Sequence, residues 1–268
     1  MEFLVLDLET VPKTETAYTW TPKKDKDGKD EFPPLHVHKI CCIGYCILRD
    51  PNVVQANDKI QPVEYNTLFD YSFQDPNKRN EKDALTAFSQ IMDKMNDRFV
   101  LVTWNGRTFD LPVLVYRMFS YGLDIEWYYG DKEVNGRYGK RHIDVMDTFC
   151  NFGTFGGWGR AHLDSIAKLS GLPGKMEVTG DSVSKMHEAE QYDDIQEYCL
   201  TDVLQTALVF LRFGALSGKM DKKYASAVSD LILKKASEDS RKQVKELFMK
   251  TDMSKFFSFY KEDEDQSF

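Results

Sequence analysis

The stretch that most constrains the fold is an apolar run near the N-terminus that ends in two acids. Residues 3–10 (FLVLDLET) have the length of a buried strand. Alternation along a strand places Asp7 and Glu9 on one face and the neighbouring leucines on the other. Adjacent carboxylates repel each other and resist burial unless a cation lies between them. The stretch therefore predicts a metal site, or else a chance pair in which Glu9 only begins a loop before Pro12; both interpretations stay open here.

The ligand chemistry favours Mg²⁺ or Mn²⁺ over zinc, because hard carboxylate oxygens suit these ions. The cysteines are odd in number and show no Cys-x-x-Cys spacing, so we interpret them as reduced core thiols. They are Cys41, Cys42, Cys46, Cys150 and Cys199. His36 and His38 have no third ligand nearby, and we expect both to be loop residues.

Bulk composition bounds the class of protein. The chain has 268 residues and is 42% apolar, enough for one large α/β domain with room for an appendage. We find no apolar run with the length of a membrane span and no signal-peptide pattern, so we expect a cytoplasmic protein without a membrane partner. A net charge of −8 argues against a general nucleic-acid coat protein.

The first half of the chain reads as strands separated by loops. Residues 11–39 contain prolines and a charge run of mixed sign, which predicts a solvated loop; phosphate contact through its lysines is the alternative. Residues 40–48 predict a buried strand paired with the first, and residues 53–64 predict one more, giving an antiparallel meander. Helical spacing follows over residues 81–97.

A third acid follows the next predicted strand, residues 99–104. Asp110 comes directly before the predicted helix at residues 111–121, where an N-cap belongs, yet it also stands at the end of a strand next to the first. It can cap the helix, serve a site with Asp7, or do both. Asp144 has the position of an N-cap within a short strand-to-helix segment, residues 141–147.

The second half of the chain predicts helices. Residues 151–159 combine glycines with aromatic residues, which suits either base stacking or local packing. Helices are predicted at residues 161–169, 181–187 and 190–213. In the last of these, Tyr198 and Asp202 share a face, and a mid-helix acid beside apolar residues is expected to face a site.

The C-terminal part changes character after Gly218. Residues 222–250 predict an amphipathic helix that packs on the domain as an appendage. The acidic end, from Lys261 to Phe268, predicts disorder, and docking of a protein partner through this tail is the alternative.

Five residues in three motifs combine into one pattern, and they are Asp7, Glu9, Asp110, Tyr198 and Asp202. The pattern resembles the DEDD (DnaQ-like) superfamily of 3′-5′ exonucleases in its tyrosine branch. The other branch carries histidine five residues before the last acid, where this chain has Glu197.

Further segments resemble a group of predicted stand-alone exonucleases related to the proofreading domain of family B DNA polymerases. These are Arg141 to Asp144, His162 to Ala167, Leu172 to Lys175 and Tyr198 to Thr206. The resemblance covers residues 1–213 and implies an RNase H-like α/β fold for them, with a mixed central β-sheet flanked by helices. Residues 214–268 would then form a helical extension with the acidic end.

The resemblance also implies roles for the site residues. Asp7 would bridge two divalent cations, Mg²⁺ or Mn²⁺, with Glu9 and Asp202 completing one site and Asp110 supporting the other. Tyr198 would orient the attacking water, because an ordinary tyrosine is protonated at neutral pH. Thr10, Asn105 and Phe109 would bind the terminal nucleotide.

The implied function is removal of nucleoside 5′-monophosphates from the 3′ end of DNA, single-stranded or frayed, by two-metal-ion hydrolysis. Nucleic acid is therefore the expected partner, DNA rather than RNA. Two alternatives stay open: an exoribonuclease on the same scaffold, and a catalytically idle nucleic-acid-binding module recruited through the acidic tail. The idle module predicts a missing acid, and this chain has all four.

Overall fold

A mixed five-stranded sheet forms the centre of the computed structural model. The model describes residues 2–12, 23–24, 26–28, 31–50, 61–95, 99–156, 159–174 and 180–260. The strands are β1 (Glu2–Pro12), β2 (His38–Leu48), β3 (Val63–Phe69), β4 (Phe99–Thr103) and β5 (His142–Asp144). Their order across the sheet is β3-β2-β1-β4-β5.

The predicted antiparallel meander is confirmed for β1, β2 and β3, while β4 and β5 run parallel to β1. The third strand was misplaced, because it spans Val63–Phe69 and shares only two residues with the predicted 53–64. Val63 and Tyr65 are buried while Glu64 and Asn66 are exposed, which is the alternation of a strand with one solvent-exposed face. Residues 51–60 of that prediction lie outside the described residues.

The helices predicted up to residue 213 match helices of the structure to within a few residues, whereas the two short helices at residues 126–129 and 132–135 were not predicted. They are α1 (Glu81–Met95), α2 (Asp110–Ser120), α3 (Glu126–Tyr129), α4 (Lys132–Asn135), α5 (Val145–Phe149), α6 (Leu163–Leu169), α7 (Gly180–Glu188), α8 (Tyr192–Leu216), α9 (Lys222–Ser237), α10 (Lys242–Lys250) and α11 (Met253–Phe256).

The two faces of β1 bury different clusters, as the alternation predicts. Leu4, Leu6 and Leu8 pack into a cluster shared with α1 and α2. Val5 turns the other way, into a cluster dominated by α8. Asp7 and Glu9 therefore point towards the α8 side of the sheet, away from the leucines.

Helix α8 is the core helix and packs on β1 and β2. Gly44 of β2 permits this contact, because a Cβ there would lie 2.8 Å from the Cys199 sulfur and 2.9 Å from a Val203 methyl group. Contrary to the expectation from sequence, α8 has the length and apolar composition of a membrane span. Because 83% of its most apolar window is buried in the fold, we describe it as a core helix.

On the opposite face of the sheet, a buried ion pair joins α1 to α2. Arg117 donates to Glu81 through Nε at 2.8 Å and Nη2 at 2.6 Å. The same carboxylate accepts the Tyr121 hydroxyl at 2.9 Å and the Ile40 backbone N–H at 2.8 Å. Glu81 thus joins two helices to strand β2 while its charge is fully paired.

The predicted helix at residues 222–250 is two helices, α9 and α10, because Asp239 interrupts it. The Asp239 carboxylate accepts the Arg241 backbone N–H at 2.9 Å and the Tyr65 hydroxyl of β3 at 3.0 Å. Such local side-chain bonds compete with the helical ladder. Both helices and Phe256 of α11 share the core cluster of α8. The acidic end predicted to be disordered, residues 261–268, lies outside the described residues.

His38 was wrongly assigned to a loop. It is the buried first residue of β2, and its ring lies between the Thr10 hydroxyl, 2.9 Å from Nδ1, and the Pro33 carbonyl, 3.2 Å from Nε2. Burial lowers the pKa of His38, so the ring is neutral. His36 lies in a single 3₁₀ turn, Leu35–Val37, before the strand.

Candidate active site

One cleft of about 420 Å³ gathers most of the predicted site residues. Its lining includes Asp7, Glu9, Asn105, Phe109, Asp110, Tyr198 and Asp202. It opens beyond the carboxyl end of β4, beside the part of β1 that follows its parallel pairing with β4, and α8 lines one side. Thr10 is not among its lining residues. The carboxyl ends of parallel strands are where α/β sheets usually place ligands.

Asp7 and Glu9 form the centre of the acidic cluster. One carboxylate oxygen of each acid and the Cys199 sulfur all lie within 4.8 Å of one another. Glu9 is only 8% exposed and Asp7 is partly exposed. The backbone register shifts between Glu9 and Thr10, and a bulge at this point re-aims the chain as it leaves the site.

Cys199 contributes a thiol to the cluster, not a thiolate. Its sulfur lies 3.6 Å from the Asp7 carbonyl and 3.9 Å from Asp7 Oδ2. Burial raises the pKa of Cys199 well above its ordinary value, and neighbouring Cys42, Asp7 and Glu9 raise it further. A protonated thiol is a weak donor, so the oxygen atoms are the hard ligands of this cluster.

Asp110 is used differently from a helix cap. It is the first residue of α2, where Phe109 occupies the N-cap position, and it accepts the Leu8 backbone N–H of β1 at 3.1 Å. Burial raises the pKa of Asp110 to about 7, although hydrogen bonds from two backbone N–H groups lower it. A nearby cation would favour the ionised form that burial disfavours.

Tyr198 and Asp202 reach the cleft from the same face of α8, one turn apart. The Tyr198 hydroxyl is hydrogen-bonded to the Asp202 carboxylate. Burial and the nearby carboxylates of Asp202, Glu9 and Asp7 all raise the pKa of Tyr198. The hydroxyl therefore keeps its proton at neutral pH and acts as a hydrogen-bond donor. The mid-helix acid lines the cleft, and its role in a site stays a prediction.

The carboxylate of Asp144 fixes the loop between β4 and α2. This carboxylate accepts the backbone N–H groups of Asn105 and Arg107, both at 3.0 Å, and that of Asp147 at 3.1 Å. The predicted N-cap at Asp144 is confirmed. Its second role, fixing the loop that carries Asn105 at φ +62°, depends on contacts 39 residues away and was missed.

The cleft is also lined by residues to which the sequence assigned no role in the site. Arg160 and His162, both exposed, line the cleft together with Trp104. The glycine-rich segment just before Arg160 was the sequence signal for this part of the cleft, but only its aromatic residues were interpreted as candidates for base stacking. Phe152 and Phe155 do not line this cleft, and Trp158 lies outside the described residues.

Thr10 is linked to the cleft indirectly. The His38 ring bound to its hydroxyl stacks on Phe32 at 5.2 Å between ring centroids and meets Phe109 edge-on at 5.4 Å. Phe109 lines the cleft, and Phe32 is 69% exposed beside it. Thr10 therefore supports the position of Phe109 through a neutral histidine.

Fold and site together define an α/β domain with four carboxylates and a tyrosine gathered in one cleft beyond the carboxyl end of β4. A family model described as predicted 3′-5′ exonuclease related to the exonuclease domain of PolB matches residues 30–251. The chain belongs to this family, which confirms the resemblance carried by the motifs. Asp110, Tyr198 and Asp202 lie within the match, whereas Asp7 and Glu9 precede it. No curated protein matches the chain.

Proposed function

We propose that this chain is a metal-dependent 3′-5′ exonuclease that removes nucleoside 5′-monophosphates from the 3′ end of DNA. The observation that carries the proposal is the convergence of Asp7, Glu9, Asp110, Tyr198 and Asp202 on one cleft from three distant segments. Family membership supports the reaction class. The sheet order and the antiparallel β2 are compatible with the RNase H-like fold that the resemblance implies.

The donor set fits a pair of hard divalent cations. Asp7 and Glu9 hold oxygen atoms within 4.8 Å of one another, and Asp110 carries a carboxyl whose buried charge a cation would stabilise. Asp7, Glu9, Asp110 and Asp202 would hold two Mg²⁺ or Mn²⁺ ions. Bound ions of this kind stabilise the charge that develops during phosphodiester hydrolysis and lower the pKa of water.

The chain's own side chains position the reactants. Tyr198 keeps its proton and is fixed by Asp202, so it orients the attacking water and does not act as a base. Thr108 donates to Asn105 Oδ1 at 2.7 Å, which leaves the Asn105 amide nitrogen to donate to the terminal nucleotide. Phe109 packs against the terminal sugar or base, with Thr10 supporting it through His38.

The test is an assay with a 5′-labelled single-stranded DNA oligonucleotide and its RNA equivalent, in Mg²⁺, in Mn²⁺ and in EDTA. Asp7→Ala is compared with Asp230→Ala, which removes an exposed carboxylate on α9. We expect a metal-dependent ladder that shortens DNA from its 3′ end in the wild type and the control, and none in Asp7→Ala. A ladder on RNA alone would make the protein an exoribonuclease. Full activity of a folded Asp7→Ala would refute the site.

A further inference from the structure

A second cleft, of about 360 Å³, lies at the β5 edge of the sheet and shares no lining residue with the acidic cleft. Its walls come from β5, the loops around it and the C-terminal end of α8. The volume falls within the usual range of small-molecule sites, about 300–1,000 Å³. We call it the β5-edge cleft.

The β5-edge cleft is positively charged, although the chain as a whole carries −8. Arg107, Arg137 and Lys219 line it, against one carboxylate, Asp144, whose oxygens already accept backbone N–H groups. Asp147 lies 3.8 Å from Arg107 and 3.9 Å from Arg137, so it holds both guanidinium groups in place and offsets part of their charge. With three cations against these two carboxylates, the cleft keeps a net positive charge in an acidic protein, which favours an anionic ligand.

Aromatic rings stand beside these cations. Tyr138 is 73% exposed, and its ring lies 5.0 Å from that of Phe152 in an edge-to-face pair. Arg137 donates to the Phe152 carbonyl at 3.0 Å, which ties the cation to the aromatic pair. Phe152 has φ +53°, a left-handed conformation that costs a bulky residue about 1–2 kcal/mol. The strained backbone at Phe152 thus places its ring next to Arg137.

A buried histidine in the cleft has an unused polar atom. His142 is 2% exposed, and its Nε2 lies 3.0 Å from the Thr103 hydroxyl. Its Nδ1 is buried without a hydrogen-bond partner among the residues that the structure describes. An unmade hydrogen bond of this kind costs about 1–3 kcal/mol, which a polar group of a ligand at this wall of the cleft would recover.

We propose that the β5-edge cleft is a second, non-catalytic binding site for a nucleotide. The base stacks on Tyr138 and Phe152, the phosphate lies between Arg137 and Lys219, and His142 Nδ1 bonds a polar group of the ligand. The nucleotide unit has two sources, a free mononucleotide or one residue of a nucleic-acid strand. Binding here needs no divalent cation and no hydrolysis, so the proposal stands or falls independently of the exonuclease activity.

Calorimetric titration of the full chain in EDTA tests the proposal with two probes, AMP and the DNA pentamer (dT)₅. The variant Arg137→Ala/Lys219→Ala is compared with Arg79→Ala/Lys242→Ala, which removes the same charges from exposed positions outside the cleft. We expect the cleft variant to bind at least one probe about ten-fold more weakly, and the control to bind like wild type. Equal thermal melting of both variants shows that the fold is intact.

The probes separate the two sources, and a third variant separates a nucleotide from a simple anion. Weaker AMP binding identifies a free mononucleotide site; weaker binding of (dT)₅ alone identifies a strand subsite. Tyr138→Ala should weaken the binding of the affected probe while leaving that of inorganic phosphate unchanged. Absence of binding by both probes, unchanged affinity in the cleft variant, or no effect of Tyr138→Ala would overturn the proposal.

Discussion

Replacing Asp7 by asparagine should make the metal-free protein more stable while removing its response to metal. The carboxylates of Asp7 and Glu9 lie within 4.8 Å of each other. At that separation two like charges repel by about 3.5 kcal/mol with an effective dielectric constant of about 20, and by about 0.9 kcal/mol in bulk water. Because Asp7 is partly exposed, we expect a gain of about 1–2 kcal/mol in the free energy of unfolding.

Thermal unfolding in EDTA and in saturating Mg²⁺ or Mn²⁺ measures both effects. In EDTA, Asp7→Asn should melt roughly 2–8 °C above the wild type. The wild type should gain about 2.7 kcal/mol when the metal concentration is one hundred times its dissociation constant. Asp7→Asn should lose most of that gain, and Asp230→Asn should behave like the wild type in both conditions.

Two results would refute this reasoning. A metal-free Asp7→Asn protein less stable than the wild type would mean that the carboxylate is held by favourable contacts that outweigh the repulsion. A Mg²⁺-induced rise in melting temperature that survives in Asp7→Asn would place the cation elsewhere. The first result would refute the repulsion between the two carboxylates, and the second would separate the acidic cluster from metal binding.

Four further substitutions test other parts of the structure. The pKa of Asp110 is about 7 in the folded protein against an ordinary value of 3.8. In EDTA, its ionisation should therefore lower the free energy of unfolding of the wild type by about 1–4 kcal/mol as pH rises from 4 to 7. Urea unfolding measured across this pH range should show no such decrease in Asp110→Asn. Arg117→Ala leaves the buried Glu81 charge without its partner and should cost about 3–5 kcal/mol by urea unfolding. Phe256→Ala should cost about 3–5 kcal/mol in the same assay, since its ring is fully buried; a loss under 1 kcal/mol would contradict the packing of α11. Tyr198→Phe should slow hydrolysis by about ten- to a hundred-fold, less than any acid, because it aligns water; an equal loss would mean it does more.

The parts of the fold that local patterns determine were predictable. Strand β1 shows its period of two in the leucines and the acids, and Asp202 stood out as an acid within an apolar helical face. Both features follow from secondary-structure period and burial alone. The helices α1, α2 and α8 were placed to within a few residues for the same reason.

The parts that depend on distant contacts were not predictable. The sequence left Asp110 open between a helix cap and a site residue, because its hydrogen-bond partner, the Leu8 N–H, is 102 residues away. His38 looked like a loop residue because the Thr10 hydroxyl and the Pro33 carbonyl that surround it meet only in the folded chain. The helical periodicity of residues 222–250 does not reveal that the Asp239 carboxylate binds the Tyr65 hydroxyl on β3 and interrupts the predicted helix.

The identity of the first product tests the central claim most directly. A single-stranded DNA oligonucleotide with its label in the 3′-terminal nucleotide is incubated with the protein in Mg²⁺, and the earliest labelled product is separated by chromatography. The account predicts a labelled nucleoside 5′-monophosphate, released before any shorter labelled oligonucleotide appears and absent in EDTA. A labelled free nucleoside, which results when the phosphate stays on the shortened strand, a labelled oligonucleotide from internal cleavage, or release of the label only at the end of digestion would contradict it.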